Sequence, residues 1–140
     1  MAGETELGRL LAGMRPVLAP ATYVFVTVAA GERLPDDIDP VMTFRESEGL
    51  TLVVSEAKAA AARLRGAFPC RLITLQIHSS LDAVGFLAAV TAHLAARGIG
   101  VNPVAAFHHD HLFVPAGRAD EALAALKTLA DESSRVLAMG

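Results

Sequence analysis

The sequence has no tryptophan, one tyrosine and one cysteine, and aromatic residues make up only 5% of it. A lone cysteine, Cys70, cannot close an internal disulfide, which excludes a disulfide-stapled secreted scaffold. Lysine is scarce, two against ten arginines. With 12 basic and 15 acidic residues the net charge is −3, so the positive excess that phosphate backbones demand is missing and no nucleic-acid partner is expected. Charged residues are 19% and hydrophobic residues 53%, too apolar a balance for a disordered chain. Long apolar runs are missing too. The longest charge-free helical stretch, Ala83 to Ala96, falls short of the roughly 20 residues that span a bilayer. The opening Met-Ala-Gly-Glu-Thr-Glu is acidic and carries no apolar signal core. The expectation is a cytoplasmic protein with no membrane partner.

What the sequence does have is alanine, at 27 of 140 positions. Arginine over lysine, together with this alanine, fits a GC-rich bacterial gene. The length suits one domain, or two small ones packed together.

The first half reads α-β-β-β-α. Leu7, Leu10, Leu11 and Met14 make one helical stripe over Glu4 to Met14, which Pro16 and Pro20 are expected to end. Thr22 to Val28 is strand-like with two apolar faces, so cover on both sides is expected. Gly31 to Pro40 is a loop whose three aspartates lack cation-loop spacing. Val41 to Glu46 and Leu50 to Val54 form a hairpin closed at Gly49. Ser55 is placed to cap a helix from Glu56 to Arg65, ended by Gly66.

The second half reads β-α-β-β-α-β. Arg71 to His78 is a strand. Ser79 or Ser80 is placed to cap a helix from Asp82 to Arg97, ended by Gly98, with Val84, Leu87, Val90, Thr91 and Leu94 toward the sheet. Val101 to Phe107 and His111 to Val114 are strands flanking the turn His108-His109-Asp110. Arg118 to Glu132 is a helix, and Ser134 to Met139 a short last strand. This order is the ferredoxin-like split βαβ of an α+β fold, an antiparallel sheet under two helices. The boundary between halves is set near residue 67, giving 1–67 and 68–140.

Three constellations carry candidate chemistry. In the first, a strand gives way to a helix across Ile77 to Phe86, so free amides and the positive helix end face the turn, which suits a carboxylate or phosphate. Gly85 there permits close approach of a ligand. The plainer alternative is an ordinary capped turn with a tolerated glycine. The second is His108-His109-Asp110-His111, the densest set of metal-capable ligands, which would need His78 or His93 to complete a site. Its alternative is a polar hairpin turn. The third is Cys70, adjacent to Arg71 but on the opposite strand face, which favours a structural role. Gly98-Ile99-Gly100 follows a helix and lacks a third glycine, so it is a helix end rather than a dinucleotide turn.

Ser80-Leu81-Asp82-Ala83-Val84-Gly85-Phe86-Leu87, followed by Leu94 to Asn102, resembles the opening of an ACT domain. Glu48 to Val54, His78 to Gly85, and His109 to Pro115 resemble an uncharacterised bacterial family built from two ACT-like halves, a likeness that runs from about Tyr23 onward. The first half departs from the usual ACT pattern. The resemblance implies a regulatory module that binds a small ligand, an amino acid above all, between paired domains, without catalysis and without a cofactor. Carried over residue by residue, the ligand turn maps to Ser79, Ser80, Leu81, Asp82, Val84 and Gly85, and the facing strand to Asn102, Pro103 and Val104. The turn amides would take an α-carboxylate and Asp82 an ammonium, with Glu46 or Glu48 contributing from the other half. A homodimer or higher homo-oligomer is implied, since exposed sheet edges invite pairing. Two other readings compete: a dimeric ferredoxin-like metal-dependent enzyme using His108 to His111, and an interaction module with no ligand.

Overall fold

In a computed structural model that describes residues 6–139, the chain runs α1 (Leu7–Gly13), β1 (Arg15–Val28), β2 (Met42–Glu46), β3 (Gly49–Ser55), α2 (Glu56–Ala61), β4 (Ala67–Gln76), α3 (Phe86–Ala95), β5 (Asn102–Ala105), β6 (Asp110–Pro115) and α4 (Ala119–Met139). All six strands join one antiparallel sheet in the order β2-β3-β1-β4-β6-β5. The expected α+β, ferredoxin-like architecture is what forms, and the order of elements in the first half agrees with the reading from sequence.

Two strands serve both halves. Within the first half the order is β2-β3-β1-β4, and within the second it is β5-β6-β4-β1. Each is the strand order of a ferredoxin-like unit, with β4 closing the first unit and β1 closing the second. This explains a correction. Ser134 to Met139 is not a strand but the end of α4, because the place beside β4 is already taken by β1. In the first unit the loop of residues 29–41 stands where a first helix would lie, and its Ile38 is buried against β1 and β3.

The first helix ends at Gly13, ahead of Pro16 and Pro20 as expected, but both prolines lie within β1, which starts seven residues earlier than the expected Thr22. The reason is local. β3 pairs only with Tyr23–Val28, so the first part of β1 has β4 as its single neighbour, and such an edge segment is where a strand admits proline. Pro20 falls in a bulge between Leu18 and Thr22, where four residues of β1 span two of β4. The Arg71 guanidinium closes over this bulge, donating from Nε (3.1 Å) and Nη2 (2.7 Å) to the Ala19 carbonyl. β4 likewise begins at Ala67 rather than Arg71, with Phe68-Pro69 in a second irregularity opposite Tyr23 and Phe25.

Two other ends move. Ser55 caps α2 as expected, its Oγ accepting from the Lys58 amide at 3.2 Å, but α2 stops at Ala61. Arg63 rather than Gly66 takes the left-handed position (φ +57), and the Leu64 amide returns to Ala59 O at 2.9 Å. α3 starts at Phe86, not Asp82. Gly98 does close it, at φ +70, with Ile99 N bonded to Leu94 O. At the β2–β3 turn Gly49 is required: its φ is +151, and a Cβ would sit 2.5 Å from the Val28 carbonyl oxygen.

All helices cover one sheet face. α3, α4 and α1 bury Val90, Leu94, Ala122, Leu126 and Leu10 against Ile73, Leu75, Leu112 and Val114. Thus α1, first in the chain, completes the core of the second half. The small α2 covers Val24, Val26, Leu52 and Val54. Among the described residues the opposite face has no helical layer. Instead the sheet curls, so that Val53, Cys70, Leu72 and Phe113 are buried beneath Tyr23, Phe25, Phe68, Met42 and Val104. Phe25 and Phe113 meet edge to face at 5.5 Å. β1 is therefore covered on both sides as its composition suggests, by helix on one face and by curled sheet on the other.

Leu10 is fully buried in the core of the second half. Leu10→Ala should cost about 2–5 kcal/mol in urea unfolding, the range for emptying a packed leucine site. A cost below about 1 kcal/mol would show that α1 is not part of that core.

Candidate ligand site at the β4–α3 turn

β4 ends at Gln76 and the chain crosses to α3 through residues 77–85. Internal bonds hold this turn: Ser79 N donates to Ile77 O, Ala83 N to Ser80 O, and Asp82 N to Ser80 Oγ at 3.0 Å. Gly85 ends it in a left-handed conformation, φ +90, and serves as the N-cap of α3 with no side-chain cap. The expected serine cap from Ser79 or Ser80 therefore does not form. Ser80 Oγ turns back to its own loop, and Ser79 Oγ donates to Asp110 Oδ2 at 3.2 Å. The first amides of a ten-residue helix are left uncapped by any side chain.

The β5–β6 loop packs against the turn. Ala106 N bonds His109 O, and His109 Nδ1 lies 3.3 Å from Ile77 O. Between turn and loop lies a cavity of about 150 Å³, lined by Ser79, Ser80, Leu81, Gly85 and the first residues of α3 on one side, and by Ala105, Ala106 and Asp110 on the other. Ser79 and Asp110 are both only 7% exposed, the two buried polar residues of the described chain. Burial pushes the Asp110 carboxyl above its usual range, opposed by the Ser79 hydroxyl and by His111 and His109.

Of the candidate residues read from sequence, Ser79, Ser80, Leu81 and Gly85 line this cavity. Asp82 and Val84 are exposed and outside it, Val84 at 84%, so Val84 does not face the sheet as expected. Asn102 and Pro103 are exposed on β5, and Val104 lies on the other sheet face. Asp110 was visible only as a metal-capable residue. The signal for its place was strand alternation: it shares a face with Leu112 and Val114, both fully buried, so its carboxylate must enter the protein.

The other candidates go elsewhere. Glu46 accepts from Thr51 Oγ1, and Glu48 accepts from Ser47 at the hairpin tip. His111 Nδ1 meets Thr74 Oγ1 at 2.9 Å, and the exposed His108 stands 5.7 Å from His78, ring centre to ring centre. Among the described residues no three His, Cys, Asp or Glu side chains gather as a metal set. Cys70 is fully buried, its Sγ bonded to Tyr23 O at 3.4 Å, and burial pushes the thiol up to about 11, far from the activated range. No helix among the described residues is long and apolar enough to cross a membrane.

Comparison with known proteins agrees with the fold and its two units. The ACT domain family matches twice, over residues 2–71 and 67–128. A solved Vibrio cholerae protein of unknown function, described as a possible transport protein, is 44% identical, covering 89% of this chain and 95% of its own with a TM-score of 0.79. An Agrobacterium tumefaciens protein is 21% identical over 84% of this chain and 89% of its own, with a TM-score of 0.71. The ligand-free regulatory subunit of aspartate kinase from Thermus thermophilus has the same fold at 11% identity, covering 85% of this chain and 97% of its own with a TM-score of 0.59. A search of curated proteins returns no match. The chain belongs to the ACT-domain family, in a form with two ACT units.

Asp110 fixes a pH signature. Its carboxyl is raised above 3.8 in the folded protein, so ionising it costs stability. That cost is absent below about pH 3.8 and grows as the pH rises through the folded value. Asp110→Asn should thus gain melting temperature relative to the parent between acid and neutral pH. A difference that is flat with pH, or that runs the other way, would place Asp110 in water.

Proposed function

We propose that the protein is a non-catalytic regulatory module that binds an α-amino acid in the β4–α3 cavity. One observation carries this reading: the uncapped amides at the start of α3 and the buried Asp110 carboxylate line the same small space. Helix N-termini attract anions, and a desolvated carboxylate attracts a cation. The pair complements a zwitterion, with the α-carboxylate on the amides and the α-ammonium on Asp110 beside Ser79. A cavity of about 150 Å³ is of the size that holds benzene. It therefore takes the amino-acid head and a short side chain. Membership of the ACT family supports a regulatory role, and the reading assigns no catalytic residue.

Around the cavity, Leu81 and Phe107 are 66% and 68% exposed and Val84 more so. Leu81 lines the cavity, and Val84 and Phe107 are next in the chain to lining residues, so exposed apolar side chains adjoin it and fit a covering partner. The reading places a second copy there, with the ligand enclosed between copies in the cytoplasm.

A thermal-shift screen over the standard amino acids tests the ligand. A binder at 100 times its dissociation constant adds about 2.7 kcal/mol of stability. At least one small amino acid should raise the melting temperature, and Asp110→Asn should abolish the rise. A response that survives Asp110→Asn, or none at all, defeats the assignment. Analytical ultracentrifugation tests the pairing: the parent should sediment as a dimer or larger, and Val84→Asp with Phe107→Asp should shift it to monomer and weaken the ligand response. A parent that sediments as a monomer removes the second copy from the site.

A further inference from the structure

The sheet face without helices holds a cavity of its own. Because the sheet curls, residues from its two ends face each other: Val41 and Met42 at the start of β2, and Val104 and Ala106 at the end of β5. Between them is a space of about 270 Å³ floored by Leu72 and Phe113. Both floor residues are buried in the single chain, so the feature is a recess with walls rather than a flat apolar face awaiting a partner. Among the described residues no aspartate, glutamate, lysine or arginine lines it. Its one polar side chain is His111, whose Nδ1 is engaged by Thr74 Oγ1 at 2.9 Å, leaving Nε2 with no partner among the described residues. An apolar recess with a single convergent polar group is the usual form of a small-molecule site.

We propose that this recess is a second binding site, for a compact uncharged molecule that places an apolar ring between Met42 and Val104 and one hydroxyl or N–H group on His111. Size sets the upper bound. A cavity near 150 Å³ holds benzene, so about 270 Å³ admits one ring with a short substituent and excludes a lipid chain or a peptide segment. Charge sets the class. Nothing in the lining compensates an ion, and burial holds the His111 imidazole below its usual range, so it meets the ligand neutral. The site is distinct from the β4–α3 cavity: Asp110 enters the helical side of β6 and its neighbour His111 the curled side. It does not depend on the amino-acid reading.

Phenol and toluene, which match in shape and differ by the hydroxyl, test the proposal on the full-length protein. In methyl-detected NMR, millimolar phenol should shift the methyl signals of Val41, Met42, Leu72 and Val104 and leave Val84 unmoved. Phenol should bind about fivefold more tightly than toluene, the worth of one net hydrogen bond. His111→Leu should erase that preference while toluene still binds. Val104→Phe, on a half-exposed edge strand, should fill the recess and abolish both while the melting transition stays cooperative. Shifts spread over the surface, equal binding of the two probes, or no shift at all would overturn the proposal. So would line broadening of these same methyls with protein concentration alone, since a second copy would then occupy the recess.

Discussion

The pairing of β1 with β4 is the constraint on which everything else rests. Each strand is the first of one ferredoxin-like unit and the last of the other, so neither half has a complete sheet without the strand it borrows. The pair also tolerates more irregularity than any other in the sheet. Proline stands in both strands, two register shifts interrupt them, and a guanidinium has to tie the larger bulge back to the sheet. Bulges add local twist. Two of them in the central pair are the physical source of the curl that brings β2 and β5 toward each other and buries Val53 and Phe113 without a covering layer.

From that curl follows the division of labour on β6. Strand alternation sends Asp110, Leu112 and Val114 to the helices and His111 and Phe113 to the curled face. One short hairpin thus supplies a carboxylate to one cavity and an imidazole to the other. Ala106, in the loop of that hairpin, lines both.

Much of this architecture was legible in the residues, and the failures have identifiable causes. Helix stripes, the Gly49 turn, the Ser55 cap and the Gly98 stop are local signals, and local chemistry decides them. The prolines misled because their meaning depends on whether a neighbouring strand is present, which a single sequence does not display. The missing last strand misled for a related reason. The pattern of Ser134 to Met139 is ambiguous alone, and only the presence of β1 beside β4 closes that position. At the turn, Ser79 and Ser80 were found as residues but given the wrong partners. Ser79 reaches across 31 positions to Asp110, a contact that no spacing within the turn encodes.

Exchanging Asp82 for Asp110 alters the chemistry attributed to the turn. An exposed aspartate offers a solvated charge, and a salt bridge made there is worth little. Asp110 is already desolvated by folding, and that cost is borne before any ligand arrives. Its hydrogen bond from Ser79 fixes one oxygen and orients the other. A cation that reaches it therefore relieves a strained charge rather than displacing bulk water. For the proposed ligand this is a physical ground for selectivity: an incoming ammonium is favoured by more than its Coulomb attraction, while a neutral analogue of the same shape leaves the buried carboxylate as uncompensated as before. On the proposed reading, a module that must tell a zwitterion from a simple organic acid gains its discrimination from this buried group, and an ammonium bound there offsets part of the cost of ionising it.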